Sequence, residues 1–301
     1  MLAIEMTGVS KTYSGAPRPA LEAVDLEVAA GERLGLIGAN GSGKTTLMRL
    51  LMNFVLPERG SIRIMGERNL EKARRFMGFV PERQEGMENF TPRELLRIAA
   101  RMYRMEKNRA AERIAEMLNF TQLSGFAGEL VAGFSKGMAQ RLQIGIALIH
   151  QPRILLLDEP MSGLDPGGQK DVREVLARLS DRTLVYASHN LEEIETFCTV
   201  VVILQGGRVI HRLNLQEIRQ EIYTLDASRL ALEILSHFPD LKPRVLRETG
   251  EKVRVEFAAD YLKIQKLLAA LNERRVDIQR LRSRSVLEDY YHRYVAGAGE
   301  A

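Results

Sequence analysis

Gly38-Ala-Asn-Gly-Ser-Gly-Lys-Thr-Thr46 is the stretch that decides the fold. A short apolar run, Leu34-Gly-Leu-Ile37, leads into it, and Leu47, Leu50 and Leu51 follow at helical spacing. A strand, a glycine loop and a helix in that order make a cradle for phosphate. The glycines let backbone N–H groups turn inward around phosphate oxygens, and the helix adds its positive end. Lys44 is placed to neutralise β/γ-phosphate charge and the Thr45 hydroxyl to ligate Mg²⁺.

Ile154-Leu-Leu-Leu-Asp158-Glu159 lies 114 residues beyond Lys44. A buried strand ending in a carboxylate can support a Mg²⁺ shell through Asp158, and Glu159 beside it can polarise an attacking water. The interval leaves room for an inserted domain. Residues of about 86–150 read as helical. Thr91-Pro-Arg-Glu94 is a capping box with proline in the first turn, and Ser135 caps a further helix. Between 154 and 205 strands alternate with helices: Thr183–Ala187 is a strand, Asp165-Pro166 and a second capping box, Asn190-Leu-Glu-Glu193, start helices, and Val200–His211 is a hairpin. That alternation implies a mainly parallel α/β core.

Phe134-Ser-Lys-Gly-Met138 stands 20 residues before Asp158. With this element the chain resembles the nucleotide-binding subunit of an ABC transporter. That family's consensus here is Leu-Ser-Gly-Gly-Gln, and this chain keeps Ser135 and Gly137 while carrying Phe134, Lys136 and Met138. The remaining elements appear in the family's order. Tyr13 matches the aromatic that stacks on adenine, Ser162-Gly-Leu-Asp165 the loop that contacts the opposite subunit, and Ser188-His189 the switch histidine. One position departs from the pattern. In Phe76-Met-Gly-Phe-Val-Pro-Glu82-Arg-Gln84 the register puts Glu82 where the family usually has glutamine; a slip that lets Gln84 substitute is the alternative.

The resemblance implies a P-loop ABC ATPase core with a helical insert, in which two copies close head-to-tail on two ATP. It places ATP against Tyr13, Gly38, Asn40, Gly41, Ser42, Gly43, Lys44, Thr45, Thr46, Glu82, Asp158 and Asp165, and against Ser135, Gly137 and Met138 of the other subunit. It implies Mg²⁺ on Thr45, Glu82 and Asp158, and catalysis by Lys44, Glu159 and His189. Lys136, Met138 and Glu82 resemble subunits that work with separate exporter-type permeases, which implies a peripheral protein at the cytoplasmic face of the membrane. The alternative is a soluble ABC ATPase of DNA repair or translation.

Composition narrows the choice. The only cysteine is Cys198, which excludes a disulfide framework and a cysteine metal cluster. No stretch without a charged residue exceeds twelve, the length of Thr196 to Gly207, too short for a spanning helix of about 20 residues. No basic region followed by an apolar run opens the chain, so no signal peptide is expected. Residues 1–214 carry 28 basic and 25 acidic side chains and residues 215–301 carry 15 and 14, an even balance that speaks against nucleic acid.

Two domains are expected, an ATPase over 1–220 and a small α+β accessory domain over 221–301. The second should read helix, two strands around Thr249-Gly250, an amphipathic helix on Ile264, Leu267, Leu268 and Leu271, a strand from Val276, and a last helix from Ser285 through Tyr294. The run Arg274, Arg275, Arg280, Arg282 and Arg284 is expected to be a solvated face.

Overall fold

The computed structural model describes residues 1–83, 85–179, 181–215 and 221–291. Two compact units divide the chain, Met1–Asn214 and Leu215–Ala301. The alternative ligand Gln84 lies outside the described residues, as do the last three residues of the expected terminal helix, 292–294.

In the first unit β1 (Leu2–Lys11), β2 (Leu21–Ala29), β3 (Arg33–Ile37), α1 (Lys44–Leu51), β4 (Arg59–Ile64), α2 (Leu70–Ala73) and β5 (Met77–Val80) come first. Three helices follow, α3 (Pro92–Met102), α4 (Lys107–Phe120) and α5 (Lys136–Leu148). The unit ends with β6 (Ile154–Asp158), α6 (Pro166–Ala177), β7 (Thr183–Ala187), α7 (Leu191–Phe197), β8 (Val200–Gln205) and β9 (Arg208–Asn214).

Six strands form the central sheet in the order β5-β6-β7-β3-β8-β9, all parallel except β9. A separate antiparallel sheet runs β2-β1-β4. The period of two along a strand sorts the central sheet's residues onto its faces. Leu34, Leu36, Ile154, Leu156, Val185, Ala187, Val202 and Leu204 form one core with Leu47, Met48, Leu50 and Leu51 of α1 and Ile4, Met6, Leu26 and Ile64 of the antiparallel sheet. Gly35 and Tyr186 belong to the other face and meet α7: a Cβ on Gly35 would lie 2.7 Å from Ile194, and the Tyr186 ring stacks on Phe197 at 5.7 Å. The phosphate loop therefore leaves the middle of a sheet that is packed on both faces.

The Thr91 capping box forms, with Thr91 N–H donating to Glu94 at 2.9 Å and Glu94 N–H to the Thr91 hydroxyl at 3.3 Å. Ser135 and Asp165 cap α5 and α6 by accepting from Met138 N–H and Gly168 N–H, both at 3.2 Å. The Asn190 capping box does not form. Asn190 accepts from Glu192 N–H at 3.0 Å, and Glu193 turns inward to Tyr186 and Ser188 instead of back to the cap. Burial against β7 outweighs the exposed cap bond.

The end of α5 is tied to β5. His150 Nε2 lies 3.0 Å from the Met77 carbonyl, and its ring stacks on Tyr103 at 3.6 Å. Burial pushes the imidazole pKa down to about 4. An unfolded histidine titrates near 6.5, so the stability held by neutral His150 is complete above about pH 6.5 and is lost as pH falls to about 4. The unfolding midpoint should fall over that window, and His150→Leu should flatten the fall; an unchanged pH profile in the variant would remove His150 as its source.

The second unit runs β10 (Glu221–Ser228), α8 (Leu230–Ser236), β11 (Arg244–Thr249), β12 (Lys252–Ala259), α9 (Tyr261–Glu273), β13 (Ile278–Ser285) and α10 (Val286–Tyr291). Its sheet is antiparallel in the order β11-β12-β10-β13, a β-α-β-β-α-β plait. Sequence reading misses β10, which is a central strand. Tyr223, Leu225 and Ala227 alternate toward the core, with polar Thr224 and Asp226 between them on the outer face. Leu225, Val253, Val255, Phe257, Leu267 and Leu271 form the core under α8 and α9. The register puts Arg254, Arg280, Arg282 and Arg284 on the opposite face of the sheet, where Arg254 pairs with Asp226 and Arg284 with Glu256 and Asp289. Arg274 and Arg275 follow α9 instead.

Candidate active site

The loop Gly38–Gly43 connects β3 to α1. Gly43 sits at φ +112°, and a Cβ there would meet the Ala20 carbonyl and a Leu21 methyl, each at 2.6 Å. Only glycine allows that conformation and that approach. The same contact brings the loop carrying Tyr13 against the phosphate loop. Tyr13 is half-buried, its hydroxyl has no protein partner among the described residues, and Lys11 Nζ lies 5.8 Å from its ring centre.

Lys44 is buried and folds back to donate to the Gly38 carbonyl at 2.7 Å. Burial lowers its pKa, and the charges of Glu159, Asp158 and Glu82 oppose that shift. Asp158 ends β6, where its carboxyl is pushed above the usual range chiefly by burial, then by the charges of Glu159 and Glu82. A hydrogen bond from the Thr45 side chain and the Lys44 charge act the other way. Asp158 Oδ1 and Ser42 Oγ are both buried without a protein partner among the described residues. Two unpartnered oxygens beside a buried ammonium make an incomplete polar site, which costs free energy unless a ligand completes it.

Glu159 has a left-handed backbone, φ +49°. Non-glycine residues adopt that region at a cost of about 1 kcal/mol or more. Its N–H donates to the Ala187 carbonyl at 2.9 Å, which pins the turn to the end of β7. Its Oε2 lies 2.8 Å from His189 Nδ1, and the His189 side chain is 64% exposed while that of Glu159 is 11%. A carboxylate under an exposed imidazole can accept a proton from water, and the imidazole is free to reach a ligand.

Glu82 joins two groups of residues. Its charge reaches Lys44 and Asp158, and it also lines an open depression of about 380 Å³ with Phe134, Ser135, Lys136, Ser162 and Leu164. The structure thus brings Lys44, Thr45, Glu82, Asp158, Glu159 and His189 together, and puts Ser135 near Glu82. Gly137 is buried, and a Cβ there would stand 2.9 Å from Gly168 Cα, so its small size serves the packing of α5 on α6. Met138 is half-buried in α5, and the exposed Asp165 carboxylate caps α6. Asn40 and Gly41 are exposed in the loop, Gly38 is buried at its base, and Thr46 continues α1. Sequence reasoning missed Tyr186 and Glu193. The signal available was a carboxylate four residues after His189 on a helix following a tyrosine-bearing strand, which was read as a cap.

A glycine loop between a central parallel strand and a helix, with a carboxylate ending the strand two places away in the sheet and a glutamate–histidine pair beside it, defines a P-loop nucleotide hydrolase of the α/β class. Residues 21–162 match the family model for the ABC transporter. An uncharacterized ABC transporter ATP-binding protein of Bacillus subtilis is 35% identical over 81% of this chain and 81% of its own length. The bacitracin transport ATP-binding protein of Bacillus licheniformis is 31% identical over 98% of this chain and 97% of its own. A Nod factor export ATP-binding protein of Rhizobium johnstonii is 35% identical over 77% and 78%.

Among solved structures, an ATP-binding subunit of an ABC transporter superposes with TM-score 0.64 at 32% identity, covering 72% of this chain and 92% of that one. A dimeric ATP-binding cassette in a post-hydrolysis state with ADP and phosphate gives TM-score 0.64 at 27% identity, over 70% and 98%. The chain belongs to the ABC transporter ATP-binding family, and it is an ATP-binding, ATP-hydrolysing subunit.

Proposed function

We propose that the chain drives export through a separate permease, as a homodimer closing on two ATP at the cytoplasmic face of the membrane. The observation that carries the ATP-driven step of this reading is the Glu159–His189 contact beside buried Lys44 and Asp158. Lys44 and the N–H groups of the phosphate loop hold the β/γ-phosphates, and Tyr13 packs on the base. Ser135 and Gly137 of the second copy would close each site. Glu159 takes the proton of the attacking water, and His189 holds Glu159 and reaches the γ-phosphate.

Thr45, Glu82 and Asp158 fit Mg²⁺, which supplies phosphate charge neutralisation when bound. The orphaned Asp158 Oδ1 is the observation that supports the fit. No group of three His, Cys, Asp or Glu among the described residues is arranged to hold a metal alone. That suits a cation which keeps its waters and binds through one or two carboxylates and the substrate's phosphates.

Export is supported by the names of the bacitracin transport and Nod factor export relatives, which are also at odds with a repair or translation role. No helix among the described residues is long and apolar enough to cross a membrane, so on this reading the permease is another chain. The helical segment of about 86–150 would receive its cytoplasmic loops. A groove of about 490 Å³ between α3 and α4 suits that role: Arg93, Arg97 and Arg101 stand along α3, and Met105, Ala110 and Ile114 make an apolar floor. Residues 221–301 would act as an accessory domain.

Replacing Arg93, Arg97 and Arg101 together by Glu should reduce recovery with the permease-containing membrane fraction at least about tenfold, as expected for reversed interface charges. Parental recovery, with a parental unfolding midpoint, would overturn the docking assignment.

A further inference from the structure

The residues behind the Glu159–His189 pair form a buried network that the proposed chemistry does not use. Tyr186, Ser188 and Glu193 are 0%, 1% and 5% exposed. Tyr186 O–H donates to Glu193 Oε2 at 2.8 Å, and Ser188 Oγ lies 2.9 Å from the same oxygen. Ser188 Oγ is also 3.5 Å from Glu159 Oε2 and accepts from Asn190 N–H at 3.0 Å.

A hydroxyl has one hydrogen to donate. That hydrogen has two carboxylates within reach, and Glu193 is the nearer by 0.6 Å, from 3.5 Å against 2.9 Å. We propose that Glu193 is a positioning residue that holds the Ser188 hydrogen and so leaves Glu159 free to act as base. Without Glu193 the hydroxyl turns to Glu159 Oε2, the oxygen that His189 also contacts. That bond would occupy a lone pair of the carboxylate and restrain its rotation toward the attacking water. Tyr186 completes the arrangement. Burial, and then the Glu193 charge, raise its pKa, so it stays a protonated donor that fixes the Glu193 carboxylate. This also accounts for Glu193 turning away from the Asn190 cap.

The inference rests on Glu159 being the base. The test is steady-state ATP hydrolysis by the full chain carrying Glu193→Ala, Glu193→Gln, Ser188→Ala, and each Glu193 change combined with Ser188→Ala, at a temperature where melting curves show every variant folded. Glu193→Ala should lower kcat about tenfold, in the range found for residues that orient reactive groups from behind, with KM for ATP within about twofold. Glu193→Gln should retain more activity, because its amide oxygen still accepts the hydrogen.

The decisive comparison is the double variant. Once the Ser188 hydroxyl is gone there is no hydrogen for Glu193 to keep from Glu159, so kcat should recover to within about threefold of Ser188→Ala alone, a non-additive pair. A double variant slower than Glu193→Ala, with losses that multiply, would overturn the proposal, as would parental kcat in Glu193→Ala. If Glu193→Ala does not fold, the glutamine series is read by the same criterion. Parental turnover by Glu159→Gln would instead overturn the base assignment, which keeps the two failures apart.

Discussion

Glu159→Gln should bind ATP as the parent does and hydrolyse it about 10²–10⁴-fold more slowly, the usual worth of a positioned general base. The amide keeps the shape of the side chain, and its oxygen can still face His189, now 2.8 Å from the carboxylate. It cannot take a proton from water. Lys44, Asp158 and the phosphate loop are untouched, so nucleotide affinity should stay within a fewfold of the parent. Nucleotide titration beside phosphate release separates the two quantities. Hydrolysis at the parental rate would remove Glu159 as base, and lost ATP binding would mean that the carboxylate supports the loop instead.

Lys44→Ala should fail one step earlier. The ammonium is buried and stands within the field of Glu159, Asp158 and Glu82. Removing one member of a buried charge group costs about 3–5 kcal/mol, because the others are left uncompensated. Here the approaching phosphates add to that uncompensated negative charge. Affinity for ATP should therefore drop by roughly two orders of magnitude or more, at about 1.4 kcal/mol per tenfold. The bond from Lys44 Nζ to the Gly38 carbonyl, 2.7 Å, is lost as well, so the loop around Gly38 should loosen. Equilibrium binding of a fluorescent ATP analogue checks this; affinity within threefold of the parent would show that the loop's N–H groups and helix end suffice.

Much of the architecture was legible because its signals are local. The phosphate loop is a single string, and the strand before it and the helix after it announce themselves by apolar period. The same holds for β6 ending on Asp158-Glu159, for the Thr91 box and for the Ser135 and Asp165 caps. Two elements were read differently from the structure. β10 carries polar Thr224 and Asp226 on its outer face and opens the accessory domain, whose sequence reads as starting with a helix. Asn190-Leu-Glu-Glu193 has the spacing of a capping box, yet the box bond at an exposed helix end is weak beside the buried bonds that Tyr186 and Ser188 offer Glu193.

The sequence by itself determined the class of chemistry, since a phosphate cradle and a carboxylate-ended strand are built from consecutive residues. Tertiary structure alone decided which distant groups meet. Parallel pairing of β6 with β7 sets Asp158 beside Ala187, and that register carries Glu159 to His189, 30 residues away, and to Ser188. It also brought Glu82 between Lys44 and Ser135. In the second unit it sorted an even mixture of charges, leaving Arg254, Arg280, Arg282 and Arg284 on one sheet face. Spacing along a chain records only what a strand or a helix repeats locally. Sheet register and burial against a neighbour come from contacts between segments far apart in sequence, which no short window contains.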